Sequence, residues 1–283
     1  MKLKNYLLLG SATLFVAACS SSDDNNNQEM ILNRVEVYYP SKTEYENSED
    51  QFMAFKEVQY YENGEIALDS FYDGYGNYHS GYIVQTTGNT KIMTYYDAAN
   101  IVLFTTTYNY DTAGRLLEII HLTVNDPLNN KIYKYSYEAD GTIVHTFQHS
   151  SSEPQISNIY TTNEAGLISG TINNDGTWRA TLIFEDGNVP QINHSNGLSR
   201  YYKYYTTPKP SNLRMNTTQS NNYILEEGLD AVGNIAKYYL KAYDNADRTY
   251  ESTFNESGYI THTNYEGNDG SARRKTETFY YYN

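Results

Sequence analysis

A short repeated unit constrains this chain more than any other feature. Each copy has one or two aromatic residues, then Asp, Glu or Asn, one to three small residues, a Gly, a polar residue and an aliphatic or aromatic residue. Repetition of one unit along a chain indicates that one structural element is repeated. Clear copies occupy 60–66, 108–116, 135–143, 160–168, 184–189, 229–235 and 254–260, and degenerate copies occupy 72–77, 96–101 and 243–248.

The physical chemistry of this unit predicts a β-hairpin. An Asp or Asn side chain can accept hydrogen bonds from backbone N–H groups ahead of it, and Gly supplies the positive φ that a tight turn needs. Asn100 stands at the Gly position of one degenerate copy and tolerates the same conformation. The flanking residues alternate, so that Tyr133, Tyr135 and Tyr137 share one face of a strand. We therefore predict an all-β fold, an antiparallel meander of hairpins that forms a curved sheet or a barrel-like structure.

Composition is consistent with an ordered β protein and excludes some partners. The chain has 32 Tyr, 9 Phe and one Trp, and Tyr supplies the apolar surface that a mean hydropathy of −0.68 would otherwise lack. The net charge of −14 disfavours binding to nucleic acid and to anionic lipid headgroups. Cys19 is the only cysteine, so no intrachain disulfide can form.

The N-terminal segment resembles a bacterial lipoprotein signal. Lys2 and Lys4 precede an apolar run that is too short to span a bilayer, and Val-Ala-Ala-Cys at 16–19 is similar to a lipobox. We predict a signal peptide over 1–18, lipidation of Cys19, a disordered polar tether over 19–30 and a single Tyr-rich domain over 31–283. The Ser/Asp-rich run after Cys19 is similar to the export signal of Bacteroidetes surface lipoproteins, although a generic solvated linker would have the same composition.

The repeats carry a second resemblance. The unit at 108–116 resembles the YD repeat of the RHS class, and the chain as a whole is similar to Bacteroidetes lipoproteins with a porin-like β domain of unknown function. That family's Pro- and Asn-rich segment has a counterpart at 206–222, which predicts a long connection, although the usual Asn-Pro-Phe is absent. The resemblance implies a curved or barrel-like sheet, a lipid anchor in the outer membrane, exposure at the cell surface and no established activity.

Candidate catalytic and metal-binding residues are few. His145 and His149 would lie about 13 Å apart on a strand, too far to share one ion. Acidic turns offer oxygen ligands for calcium, but none has the EF-hand spacing, and hairpin turns use the same residues without an ion. No nucleophile motif is present. Because carboxylates from distant strands can meet without a linear trace, a glycosidase pair stays open. We predict no catalytic residue, no metal, no cofactor and no enzymatic activity.

Two residues have candidate roles, Cys19 in lipidation and Trp178 in stacking on a sugar ring; burial of Trp178 as a rim plug is the alternative.

The leading functional hypothesis is a non-catalytic surface module that binds a glycan or a protein through its Tyr-rich face. A purely structural envelope protein and a glycan-processing enzyme are the alternatives. An outer-membrane pore is disfavoured because Thr, Lys, Ser and Asn lie opposite the Tyr face. Exposed Tyr rows would favour binding, and buried rows a structural role.

Overall fold

The chain is described from a computed structural model, which covers residues 30–39, 55–150, 152–210, 236–243, 248–268 and 273–283. These residues form eighteen strands and one 3-10 turn over Pro127–Asn129, and no helix among them has the length and apolarity to cross a bilayer. The strands are β1 (Leu32–Tyr39), β2 (Phe55–Glu62), β3 (Glu65–Tyr72), β4 (Tyr78–Thr87), β5 (Thr90–Asp97), β6 (Val102–Tyr110), β7 (Leu116–Thr123), β8 (Lys131–Tyr137), β9 (Ile143–His149), β10 (Gln155–Thr162), β11 (Ile168–Asn173), β12 (Arg179–Glu185), β13 (Asn188–His194), β14 (Ser199–Pro208), β15 (Tyr238–Tyr243), β16 (Arg248–Phe254), β17 (Ile260–Asn268) and β18 (Arg273–Tyr282).

The eighteen strands close into a barrel. Each strand pairs antiparallel with the strands before and after it, and β1 pairs with β18 from Leu32↔Tyr282 to Tyr38↔Glu277. Beyond these strands, Ile31 and Asn283 exchange two backbone hydrogen bonds of 3.3 and 3.0 Å. The predicted antiparallel meander is therefore confirmed, and it forms a closed ring in which every strand has two neighbours.

The recurrent five-residue turn is built as the repeat predicts. At Asp111, the backbone N–H donates to the carbonyl of Arg115 at 2.9 Å, and the N–H of Gly114 donates to the carbonyl of Asp111 at 3.0 Å. The Oδ1 atom of Asp111 accepts the N–H groups of Ala113 and Arg115 at 2.9 and 2.8 Å. Gly114 has φ +76°, which a residue with a Cβ adopts only with strain. Asp or Asn side chains accept the equivalent pair of N–H groups at 73, 97, 163 and 255.

A second, two-residue turn connects other hairpins. Asn63 and Gly64 have φ of 52° and 79°, and Asp186 and Gly187 have φ of 46° and 75°. Two successive positive φ angles define the type I′ turn, whose twist matches that of the paired strands. Asn100, at the Gly position of a five-residue turn, has φ +60°, which confirms that Asn replaces Gly there.

The tyrosine face of β8 points into the barrel. Tyr133, Tyr135 and Tyr137 lie on the inward face of β8, as the alternation predicts, and Tyr135 is buried in the larger core cluster. Of the segment predicted as a connection over 206–222, residues 206–208 belong to β14, and residues 211–222 lie outside the described residues. Pro208 can end this strand because the ladder needs no N–H from it there. The buried core residues are Leu116, Ile119, Tyr135, Ile143, Tyr160, Ile168, Ala180, Leu182, Val189, Ile192 and Tyr202, with a second cluster of Leu32, Val35 and Tyr61.

Tyrosine hydroxyls link each hairpin to the next. The hydroxyl of Tyr137 donates to the carbonyl of Leu116 at 2.9 Å, and that of Tyr204 donates to the carbonyl of Val189 at 2.9 Å. Tyr282 makes the same bond to Ile260 at 2.8 Å. All three acceptors stand two positions after a turn Gly, so the aromatic and aliphatic positions of the repeat are joined through the backbone. A buried carbonyl that lacked this donor would carry a desolvation cost.

Candidate functional site

The predicted lipidation site and signal peptide lie outside the described residues, as does the predicted tether up to residue 29. The described chain begins at Met30, whose backbone N–H donates to the hydroxyl of Tyr259 at 3.2 Å. The roles of residues 1–18, of Cys19 and of the tether therefore stay predictions.

Trp178 lies at the end of the turn between β11 and β12. Its backbone N–H donates to Oδ1 of Asn173 at 2.9 Å, and its half-buried ring packs against the core cluster with its centroid 5.5 Å from that of His194. One part of the indole is therefore packed against protein, and the rest is open to solvent. Stacking of Trp178 on a ligand stays a prediction.

The two histidines considered as metal ligands lie on β9. His145 is buried with its ring stacked on Tyr135 at 4.8 Å, and neither ring nitrogen has a hydrogen bond from the described residues. Burial lowers the pKa of His145 to about 4, so the imidazole is neutral at physiological pH. In the described part of the chain, no three His, Cys, Asp or Glu side chains are arranged to hold a metal ion.

The interior also contains a pair of carboxyl groups. Asp69 on β3 lies directly opposite Gln59 on β2, two residues after Glu57 on the same inward face. The Nε2 group of Gln59 donates to Oε1 of Glu57 at 2.6 Å and lies 3.3 Å from Oδ2 of Asp69. The hydroxyl of Tyr39 donates to Oε2 of Glu57 at 2.8 Å, and that of Tyr61 donates to Oε1 of Gln59 at 3.0 Å. One amide group thus bridges two acids inside a ring of tyrosines.

The surroundings of Asp69 favour its protonated form at neutral pH. Burial of Asp69, which is only 1% exposed, raises its pKa to about 8, and the charge and hydrogen bonding of Glu57 act in the same direction. Hydrogen bonding by Tyr82 and Gln59 acts in the opposite direction but is weaker. The Oδ1 atom of Asp69 is buried without a hydrogen bond from the described residues in the geometry shown. The raised pKa favours the protonated form of Asp69 at neutral pH.

A glycine brings β4 close to this pair. Gly81 lies opposite Ser70 on β3, and a Cβ atom at Gly81 would stand 2.4 Å from the carbonyl oxygen of Asp69. No side chain fits in that space without a shift of the backbone. Gly81 is therefore required for the close approach of β3 and β4 beside the acids.

The acid pair differs from the open arrangement of a retaining glycosidase. In a retaining glycosidase the two carboxyl groups stand about 5–5.5 Å apart, on either side of a sugar that lies between them. Here a single amide group bridges Glu57 and Asp69, and Asp69 is closed off from solvent. The sequence analysis did not identify this pair, because its members are twelve residues apart on two strands. The sequence does place the acidic residue Glu57 on the same strand face as Tyr61, and this alternation is the signal from which an inward acid could have been predicted.

The chain is similar to solved structures but matches no family model. No family model matches the chain, and no curated protein matches it. Among solved structures, it is similar to a porin-like protein from Bacteroides uniformis at 12% identity and a TM-score of 0.46, over 89% of this chain and 96% of that one. It is also similar to a porin-like protein from Bacteroides vulgatus at 10% identity and a TM-score of 0.37, over 90% and 99% of the two chains.

Proposed function

We propose that this protein is a non-catalytic lipoprotein of the cell envelope, anchored through Cys19, whose barrel is a rigid module that binds a protein or glycan through its outer wall. The observation that carries the proposal is the exposure of large apolar side chains on the outer wall, among them Leu68, Ile83 and Leu122. Tyr137, Tyr204 and Tyr282 donate to backbone carbonyls, and Tyr39 donates to Glu57. Contacts with a partner then fall to outward side chains.

The inward orientation of the Tyr rows argues against ligand binding through the Tyr-rich face. The Tyr rows, which the sequence predicts as a ligand-binding surface, instead face the interior of the barrel, where Tyr135, Tyr160 and Tyr202 are buried. Their orientation favours a structural role for these rings. Binding through the Tyr-rich face is therefore replaced by binding through the opposite face of the same strands.

Charges on the outer wall support a barrel that stands outside the bilayer. Glu36 in the middle of β1 lies 3.1 Å from Lys56 and 3.4 Å from Arg34, and Lys134 on β8 lies 3.6 Å from Glu118 on β7. A strand that faces lipid needs an uninterrupted apolar band, and a charge near the bilayer midplane costs about 2–4 kcal/mol. Attachment to the membrane would then depend on the lipid at Cys19 alone.

Fatty-acid labelling of cells that express the chain tests this proposal. We expect label on the wild type, none on Cys19→Ala, and recovery of Cys19→Ala in the soluble fraction. Unlabelled wild type, or a Cys19→Ala variant that stays in the membrane pellet, would contradict the anchor. A glycan array and a panel of purified envelope proteins, probed with the lipid-free barrel, test binding.

A purely structural envelope protein is the second candidate, and the inward tyrosines favour it. The two functions differ in one outcome, since a structural barrel would give no signal on either panel. Loss of the protein would then weaken the envelope without loss of attachment to any ligand.

A further inference from the structure

The outer wall of β2–β8 has two lateral rows without a formal charge, which we call the uncharged outer face. Directly paired residues of an antiparallel sheet share one face, so the rows follow from the strand register. Both rows run across neighbouring strands without interruption. The first row is Tyr60, Leu68, Ile83, Thr94, Thr105 and Leu122, and the second is Gln85, Ile92, Thr107, Ile120 and Ile132.

The large side chains of this face are open to solvent. Leu68 is 36% exposed, Ile83 42% and Leu122 44%, and none of them belongs to either core cluster. Six strands at about 4.8 Å spacing and two rows about 7 Å apart give a face of roughly 300 Å² with its side chains. The face mixes apolar side chains with three Thr and one Gln, and its size matches the centre of a protein interface, whose full area on one partner is about 800 Å².

Acidic groups border the face at both ends of the strands. Glu62 and Glu65 are paired at one end, and Asp73 and Asp97 stand in turns at the other. The side-chain and backbone N–H groups of Asn77 hold the pKa of Asp73 below its ordinary value, so this carboxylate stays ionised in mildly acidic conditions. A partner that covers the face therefore meets an uncharged centre with negative strand ends, whereas at its two sides the cations Arg34 and Lys134 lie beside Glu36 and Glu118.

The polarity and the acidic ends of the uncharged outer face distinguish three possible partners: a second copy of the chain, a bilayer and another protein. A second copy would place its own negative rim against this one, which repels. A bilayer would remove water from Thr94, Thr105 and Gln85 without offering hydrogen bonds, and anionic headgroups would meet the acidic rim. A protein can satisfy the hydroxyls and place Lys or Arg opposite the carboxylates. We propose that the uncharged outer face docks a protein whose apolar centre is framed by basic residues.

This inference rests on the proposed binding function and names its surface. The test uses the purified full chain and two synthetic peptides, one that alternates Leu and Lys and one that alternates Leu and Glu. Binding is measured at low and at moderate salt. We expect the Leu/Lys peptide to bind, with affinity that falls as salt rises, and the Leu/Glu peptide to remain unbound.

A matched pair of variants locates the contact. Ile83 and Ile183 are both outward isoleucines, 42% and 40% exposed, but Ile183 lies on β12 away from the face. Ile83→Lys should weaken the Leu/Lys peptide at least tenfold, and Ile183→Lys should leave it unchanged. Leu68→Ser, which adds no charge, should weaken it by a smaller factor. Circular dichroism and urea unfolding verify that each variant is folded.

Several results would overturn the inference. They are the absence of peptide binding, equal effects of Ile83→Lys and Ile183→Lys, or equal binding of the Leu/Glu peptide. A dimer by sedimentation that Ile83→Lys abolishes would make a second copy the occupant, and binding to vesicles that Ile83→Lys abolishes would make it a membrane. Failure of the lipid anchor would instead appear in the fatty-acid labelling, which does not depend on Ile83.

Discussion

At the scale of single residues, burial and charge conflict most strongly at Asp69. The carboxyl group is closed off from water, next to Glu57 and bridged to it by Gln59. Retention of a proton resolves the conflict at neutral pH, since a protonated carboxyl can donate to its neighbour. Because an unfolded chain would release that proton near pH 4, the pair links folding to pH.

Replacement of Asp69 should flatten the dependence of stability on pH. The folded-state pKa of Asp69 is raised to about 8, so its favourable contribution is complete below pH 4 and is lost as pH rises through 8. In Asp69→Asn the amide donates to Glu57 at every pH. We expect the variant to be more stable than the wild type at pH 8.5 and to gain less on acidification to pH 5, by urea unfolding. An identical pH slope in both proteins would contradict the raised pKa of Asp69.

A second prediction concerns the hydroxyl of Tyr137. Tyr137→Phe leaves the carbonyl of Leu116 without its donor and should lower the free energy of unfolding by about 1 kcal/mol. Tyr75→Phe is the matched control, because Tyr75 is 90% exposed and should change stability by less than about 0.5 kcal/mol. Urea unfolding at one pH compares the two. Equal effects would show that the hydroxyl of Tyr137 is not a link between hairpins.

At the scale of elements, the acidic residue of each repeat is a structural part of its turn. Asp111 accepts two backbone N–H groups, and its Oδ2 atom lies 2.7 Å from Nε of Arg115. Partial burial would raise the pKa of Asp111, but the N–H groups of Arg115 and Ala113 outweigh it and the pKa is lowered. Acidic residues in this chain are therefore poor evidence for calcium or catalysis when they stand at the turn position.

The role of the Asp111 side chain in its turn can be tested by substitution, and the turn at Asn163 shows what an amide does at the same position. Asp111→Ala removes both accepted hydrogen bonds and should cost about 1–2 kcal/mol of unfolding free energy. Asp111→Asn keeps the accepting oxygen and should cost less, because Asn163 makes the same two bonds in its own turn at 3.0 Å each. Thermal or urea unfolding distinguishes them. Equal losses in Asp111→Ala and Asp111→Asn would assign the effect to charge.

Features of the fold that depend on neighbouring residues could be predicted from the sequence. Turn chemistry depends on a few adjacent atoms, so the Asp97–Asn100 turn could be read from residue types alone. The inward face of β8 follows from the two-residue period of any strand. The pair of Glu57 and Asp69 was missed, because its formation depends on the register of β2 and β3, which bulges at Tyr60/Tyr61.

At the scale of the whole molecule, closure brings the two ends of the described chain together. Ile31 and Asn283 are hydrogen-bonded to each other in both directions, and β1 pairs along almost its full length with residues 277–282 of β18. Local sequence signals carry no information about that pairing, since its partners are about 250 residues apart. The sequence analysis could therefore predict a meander but not choose between an open sheet and a ring.

A circular permutant tests the closed ring. We expect a chain with residues 283 and 30 joined by a short linker, and reopened between Tyr75 and Gly76, to fold with the same circular dichroism and cooperative unfolding. Exposed turn tips tolerate new ends because few contacts are lost there. Reopening between Ile119 and Ile120, inside β7, is the control and should prevent folding. An unfolded Tyr75/Gly76 permutant would contradict the adjacency of the ends.

The pairing of β1 with β18 also has a consequence for biogenesis. While a ribosome is still producing the nascent chain, β1 can bond on one side only, and its other side keeps free N–H and C=O groups until the last strand emerges. Such exposed groups recruit other chains, and the delay grows with the length of sequence still to be translated. A holdase that shields the first strands would raise the yield of the finished protein more than one that shields the last.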